Sequence, residues 1–322
     1  MKPRKTKRQA APHKPRPFLL AHERQSWTER LRRLLLLLAR TFKAEPGVHL
    51  ANHDTVRRAL LGMGPDSSSA RPEAAACMAV NLSSAHVPSF CDDGYKNTYD
   101  LQATRAPDVR RISDRRLRVD QALPLGPGGS PSQVYFGAVE LAGAGMRYYG
   151  DICLVLKPAA VPADTVVLER NSFDVDRLPV LDRIRSLHGE SAQHNARAQL
   201  LSSWSGRWVR DLPAMATIRM HMSGQTTARR WTTGHVAQAI VSDEDYLEVL
   251  KQGTFRTQDI QEARLFVADA ALDAYIDSRT GSASPPRFEE LIWHRRRLHA
   301  EIALRKAGIP VRVVTHVGRM RS

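Results

Sequence analysis

Tyr246 and Glu248 stand two residues apart in the run Asp243 to Leu250, DEDYLEVL, so in an extended strand their side chains share a face. A carboxylate fixed beside a phenol at a strand end can favour positive charge that develops on a bound substrate. Two other polar groups qualify for the same work, because polar residues gathered at strand ends are where sites are built. One is Tyr148-Tyr149-Gly150-Asp151 and the other Arg170-Asn171-Ser172. Each also has a plain structural reading. The tyrosines can be wall residues with satisfied hydroxyls, Asp151 and Asn171-Ser172 turn caps, and Glu248 a solvent-facing strand residue.

Other chemistries lack their residues. His294 and His299 are five apart rather than four, and there is no H-E-x-x-H, so no metal site is expected. G-x-S-x-G and G-x-x-x-x-G-K-S/T do not occur. Gly143-Ala144-Gly145 runs into Met146-Arg147 and reads as a hairpin turn rather than a phosphate cradle. Glu248 to Lys251, EVLK, has one residue too many for the E-x-K strand end of a metal-dependent nuclease, although Asp151 and Lys157 could approach in space.

The elements that must position these groups follow from periodicity. Val134 to Leu141 and Ile152 to Leu156 are apolar, β-branched and aromatic, and read as strands buried on both faces, with a third strand beyond a Pro-bounded loop. Trp27, Leu31, Leu34, Leu35 and Leu38 predict a helix from Glu23 to about Phe42. A second helix is expected through Leu61 with Asn52 as its N-cap. Pro65 to Pro72 reads as a loop, Met78 to Leu82 as a short strand, and His86 to Tyr99 as a turn-rich surface loop with aromatic anchors. Arg105 to Arg118 reads as a solvated helix face, with a phosphate-binding face as the sharper alternative. Val180 to Leu201 has helical spacing. Met215 to Met222, His235 to Val241, Tyr246 to Leu250 and Ile260 to Val267 read as strands. A C-terminal helix spans Phe288 to Ala303, closed by Gly308 and Pro310 and followed by a strand, Val311 to Val317. Strands and helices interleave without a βαβ rhythm. The expected fold is therefore α+β: a mixed, mostly antiparallel β core with flanking helices, a basic disordered N-terminus and a long C-terminal helix followed by a strand. Residues 1–22 form the basic tail, 23–64 a helical subdomain, and 73–322 the core domain.

Composition limits the partners. The 322 residues carry 42% hydrophobic and 25% charged side chains, ordinary for a folded protein, with a formal charge of +15. Seven Lys and Arg fall within residues 1–16 with no acid, so 15 − 7 = +8 remains on the rest. Such a charge attracts polyanions or a phosphorylated ligand. Cys77, Cys91 and Cys153 suggest neither a disulfide framework nor a zinc site. The apolar run Leu34 to Ala39 is too short for a bilayer span of about 20 residues. No transmembrane segment is expected, and synthesis is placed in the cytoplasm of the producing cell.

Residues 130 to 270 resemble bacterial toxin- and effector-type ADP-ribosyltransferases, in which a late strand supplies a glutamate and is followed by a Gly-containing turn and another strand. Here these are Glu248, Gly253 and Ala263 to Val267, joined by Tyr149-Gly150-Asp151-Ile152 and Asn171-Ser172. The resemblance implies an enzyme that uses NAD+ as a substrate, without a metal, to modify a macromolecular target. It implies Glu248 as the catalytic residue favouring an oxocarbenium-like transition state, and Tyr149 or Tyr246 stacking on nicotinamide. Asn171 and Ser172 would orient the ribose, and Arg170 would hold the diphosphate. Specific forms of the family have a Glu two residues before the catalytic one. Here that position is Tyr246 and no Ser-Thr-Ser triplet occurs, which argues against transfer to arginine. The alternative is a basic nucleic-acid-binding accessory protein without catalysis, using the tail, the Arg105 to Arg118 face and the Arg295 to Arg305 helix.

Overall fold

The apolar strands at the middle of the sequence lie at the middle of the molecule. The strands are β1 (Cys77–Leu82), β2 (Val134–Glu140), β3 (Ile152–Leu156), β4 (Val166–Leu168), β5 (Ser205–Arg207), β6 (Glu248–Gln252), β7 (Ile260–Phe266) and β8 (Val311–Val314). They form one sheet in the order β5-β4-β6-β2-β1-β3-β7-β8. The structure is a computed structural model that describes residues 26–42, 46–63, 75–104, 111–176, 184, 186–222, 229–240, 246–278 and 286–315. Every pairing is antiparallel except β7 with β8. This is the expected mixed, mostly antiparallel α+β core. Residues 1–22, the loop Pro65 to Pro72 and the acidic turn before Tyr246 lie outside the described residues.

β2 and β3 are buried along nearly their whole length. They are not a hairpin, however. β1 lies between them, with Ala79 opposite Ala138 on one side and Val155 on the other. The Gly143-Ala144-Gly145 run is thus a crossing over the end of β1 rather than a two-strand turn.

Helices cover both faces. On one face Met78, Tyr135, Val139 and Val249 pack with Trp27 and Leu31 of α1 (Trp27–Phe42) and Val56 of α2 (Pro46–Leu60). Two further helices with apolar side chains in that cluster follow β5. They are α7 (Trp208–Met222) with Met215 and Met220, and α8 (Thr233–Ile240) with Val236 and Ile240. Trp27 Nε1 donates to the Ser205 carbonyl at 2.6 Å, tying α1 to the edge strand. On the other face Val134, Leu250 and Leu168 meet Val119 of α5 (Asp114–Gln121) and Leu201 and Trp204 of α6 (Glu190–Trp204). Each such side chain contributes about 1.5–3 kcal/mol when fully buried.

Several expectations are corrected. Met215 to Met222 and His235 to Ile240 are helical. In α7 the buried residues include Leu212, Met215, Ala216, Arg219 and Met220, at helical spacings of three and four, and Asp211, Ala214 and Thr217 are buried beside them, and in α8 Val236 and Ile240 are four apart. Short alternating windows of apolar and polar residues fit both periods, and the longer helical one prevails. α2 begins at Pro46, not Asn52. Asn52 is buried mid-helix, where its amide bonds the Arg229 carbonyl at 2.9 Å and the Trp231 N–H at 2.8 Å. His86 to Tyr99 contains two short helices, α3 (Val87–Asp93) and the start of α4 (Thr98–Ala103). The second is set by a capping box between Asn97 and Asp100. The aromatic anchors are present: Tyr95 stacks on Phe255 at 4.7 Å and meets Tyr135 edge-on.

The C-terminal helix α10 (Phe288–Lys306) follows α9 (Val267–Ser278) and leads into β8. Gly308, with φ +73°, turns the chain after it.

Candidate active site

Glu248 opens β6, opposite Ala138 of β2 and Leu168 of β4. It is only 2% exposed, which overturns its reading as a solvent-facing residue. Its carboxyl forms part of the floor of a cleft of about 380 Å³, within the roughly 300–1,000 Å³ range of ligand pockets. The walls come from separate parts of the chain. Asn81 comes from β1, Phe136 from β2 and Arg116 and Asp120 from α5. Tyr149 and Asn171 come from the two polar strand-end groups, and Tyr246 from the residues before β6.

The predicted residues therefore converge in part. Tyr149 and Tyr246 hydroxyls are 3.4 Å apart, and the Asn171 side-chain amide reaches the Tyr149 hydroxyl at 3.4 Å. Ser172 is fully buried and reaches Glu248 through the main chain: its N–H donates to Glu248 Oε2 at 2.7 Å. It positions the carboxyl and does not line the cleft. Arg170 does not line it either. Its guanidinium lies 5.0 Å from the Trp204 ring and 3.6 Å from Glu169, so the expected diphosphate contact has no geometric support at that residue.

Two glycines shape the wall that carries Tyr149. Gly145 has φ +65°, and a Cβ there would run into Asn81 Oδ1. Gly150 lies against the Leu82 main chain, where a Cβ would meet backbone. Asn81 clamps both ends of this segment: its amide donates to the Ala144 and Gly150 carbonyls, at 2.9 and 3.0 Å, and accepts from the Met146 N–H at 2.7 Å.

Burial pushes the Glu248 carboxyl up to about 7, with the Arg116 charge and the Ser172 N–H opposing the shift. At neutral pH it is divided between acid and carboxylate, the condition suited to proton transfer. Burial, and then the Glu248 charge, push the Tyr246 hydroxyl far above its ordinary range, so it stays a phenol.

The Arg105 to Arg118 expectation is corrected where it is described. In α5, Arg115 and Arg116 turn toward Phe173 and Phe136, with guanidinium-to-ring distances of 4.5 and 4.0 Å. Arg116 Nε lies 2.7 Å from Asp120 Oδ1, and Tyr99 donates to Asp120 Oδ2 at 2.9 Å. Asp120, Tyr99 and Asn81 are among the cleft residues that motif reading misses, and Arg116 is found there only as part of the Arg105 to Arg118 segment. The visible signals are Ser113 as the N-cap of α5 and the Arg116–Asp120 spacing of four.

The nuclease arrangement is excluded by register. Asp151 and Lys157 flank opposite ends of β3, and Lys251 Nζ folds onto the Gly253 carbonyl at 2.7 Å. Among the described residues no group of three or more His, Cys, Asp or Glu is placed to hold a metal ion, and no helix is long and apolar enough to cross a membrane. No family model matches the sequence, and comparison with curated proteins and with solved structures finds no match either.

Proposed function

We propose that the cleft binds NAD+ and cleaves its nicotinamide–ribose bond, transferring ADP-ribose to an acceptor. The observation that carries this reading is the position of Glu248: a carboxyl with a pKa near 7 at the floor of a cleft walled by Tyr149, Tyr246 and Asn171. The order of elements also fits the family the sequence resembles. Glu248 opens β6, Gly253 turns the chain, and β7 follows.

The chemistry follows from the groups present. The C1′–N1 bond breaks and its electron pair leaves with nicotinamide, while positive charge gathers on the ribose. Ionised Glu248 favours that charge from a site largely closed to water, where electrostatic stabilisation is strongest. The acceptor's lone pair then forms the new bond to C1′, and its proton passes to Glu248 or to solvent. Tyr149, half exposed at the cleft wall, offers its ring face to nicotinamide. Asn171 offers an amide to the ribose hydroxyls.

The test is nicotinamide release from NAD+ by the wild-type protein and by Glu248→Gln. Release that falls at least a hundredfold in the variant, with thermal stability retained, supports the reading. Absence of NAD+ binding and cleavage by the folded wild-type protein ends it.

One observation favours the second reading, phosphate-backbone binding. The C-terminal helix α10 exposes Arg295, Arg296 and Lys306, and Arg296 rests over the Trp293 ring at 5.0 Å. Arg297 is not available for this, being buried against Asp273. Nucleic-acid binding that weakens steeply with salt and is lost on neutralising Arg295 and Arg296 would support it.

A further inference from the structure

The C-terminal helix α10 has two distinct faces. Arg297, Ala300 and Leu304 are buried, where the helix packs on α3 and α9. Phe288, Leu291, Leu298 and Ile302 are exposed, and with Arg295 they follow spacings of three and four, which align them in one stripe. At 3.6 residues per turn the stripe lies on the side of the helix away from the buried set. Phe288 is the most exposed large apolar side chain among the described residues, at 77%. Fourteen residues on, about 21 Å along the axis, Ile302 helps to line a surface cavity of about 480 Å³ between α10 and α3. Pro88, Cys91, Ala303 and Ala307 complete its apolar lining, and Asp92, His299 and Lys306 supply its polar lining.

We propose that α10 is a dimerisation helix: it pairs antiparallel with α10 of a second copy of this chain, and each Phe288 enters the other copy's cavity beside Ile302. The two ends of the helix complement each other under a two-fold axis, because every contact made by one copy is repeated by the other. Apolar residues exposed singly need no explanation, whereas four at helical spacing running into a cavity mark a contact surface. The charges choose the direction. Glu289 lies in the first turn and Arg305 and Lys306 in the last, so antiparallel pairing sets Glu289 toward the other copy's Lys306, whereas parallel pairing sets like charges together. Arg305 is already 3.1 Å from Glu301 of its own helix, which leaves Lys306 for the cross pair.

Two features limit the affinity. Arg295 sits in the middle of the stripe, where two-fold pairing brings it toward its own counterpart, and each chain carries a formal charge of +15. A charged residue inside an apolar seam lowers stability and helps to fix one arrangement. The apolar contacts must outweigh the repulsion, so association is weak and strengthens as salt screens the charge. Phosphate-backbone binding through the same arginine has the opposite sign, because it weakens with salt.

The test is sedimentation of the full chain, freed of nucleic acid, from about 1 to about 100 μM at about 0.1 and about 0.5 M salt. Wild type should show a reversible monomer–dimer equilibrium that tightens at the higher salt. Phe288→Ala should weaken it about tenfold or more, and Leu298→Glu should leave only monomer. Both side chains are exposed, so the fold is retained, as melting curves check. Arg295→Leu should tighten the dimer about tenfold. Glu289→Lys and Lys306→Glu should each weaken it about threefold, and the double variant Glu289→Lys/Lys306→Glu should recover wild-type association, as antiparallel pairing requires. Folded wild type that stays monomeric at about 100 μM overturns the proposal. If that monomer binds duplex DNA and loses it in Arg295→Leu, the face serves phosphate instead. A dimer left unchanged by Phe288→Ala and Leu298→Glu forms at another surface and also overturns the proposal. A double charge variant weaker than either single one overturns the antiparallel arrangement.

Discussion

Two glutamates are buried to the same degree, 2% exposed each, on one face of adjacent strands. Glu248 lies opposite Ala138, and Glu140 is two residues further along the same strand. Their surroundings differ. The Gly143–Gly145 loop folds over Glu140, whose carboxylate accepts from the Leu141, Gly143 and Gly145 N–H groups at 2.8, 3.1 and 3.1 Å. Arg264 adds a charge nearby and is itself bonded to Glu262 at 2.7 Å. Glu248 accepts a main-chain bond from Ser172 and faces a cleft. A buried carboxylate wrapped in donors closes a structure, whereas one left partly unsatisfied at the floor of a cavity is available to a substrate.

The largest effect that can break this contrast is on turnover. Glu248→Gln should lower nicotinamide release from NAD+ by about 10²–10³ or more while the melting curve at pH 8 stays at or above wild type. Glu140→Gln should do the opposite. Its amide cannot accept from all three N–H groups, so stability should fall by about 1–3 kcal/mol in urea unfolding, with NAD+ affinity of the folded protein retained. Loss of affinity in Glu140→Gln with stability unchanged would erase the distinction.

The pH dependence sharpens the contrast. Glu248 ordinarily titrates at 4.5 and is raised to about 7 in the fold, so between these values the native state holds the proton more tightly than the unfolded chain. Its contribution to stability is full below about 4.5 and is lost as pH rises through about 7. This amounts to roughly 3 kcal/mol as an upper figure. Burial raises the Glu140 carboxyl as well, so chemical unfolding from pH 4.5 to 8 should show a loss in wild type that is smaller, not absent, in Glu248→Gln.

Gly150→Ala should displace the Tyr149 segment from the Leu82 main chain and weaken nicotinamide riboside about tenfold in calorimetry, an effect of about 1.4 kcal/mol. The smallest effect belongs to Tyr149→Phe, which removes two long hydroxyl contacts and keeps the ring. Affinity should change by no more than about 1 kcal/mol. Tyr149→Ala, which removes the ring as well, should cost more.

The same contrast shows what sequence can reveal. β2 and β3 are legible because burial on both faces leaves a continuous apolar pattern. The C-terminal helix is legible from the prolines before it and Gly308 after it, but not its buried face: the apolar Phe288, Leu291 and Ile302 are exposed, and Arg297, Ala300 and Leu304 are buried. The Tyr246–Glu248 pair is legible because a two-residue spacing fixes a shared face. Glu140 is not legible as a structural anchor, because its donors are main-chain groups of a loop whose sequence shows only two glycines. Nor is the Arg116–Asp120–Tyr99 wall. Arg116 and Asp120 sit one helical turn apart, but only the fold carries them to Phe136 and to the cleft. α7 and α8 are misread as strands because short alternating windows satisfy both periods, and the contacts that decide between them are with distant residues such as Trp27 and Val56.

The most direct measurement follows nicotinamide released from NAD+ between pH 5.5 and 8.5 by wild type, Glu140→Gln and Glu248→Gln side by side. The account predicts release by wild type that rises with a one-proton slope through about pH 7, the same profile for folded Glu140→Gln, and, for Glu248→Gln, release without that rise and at least a hundredfold below wild type at pH 8.5. No release by folded wild-type protein, or equal release by Glu248→Gln, would contradict it.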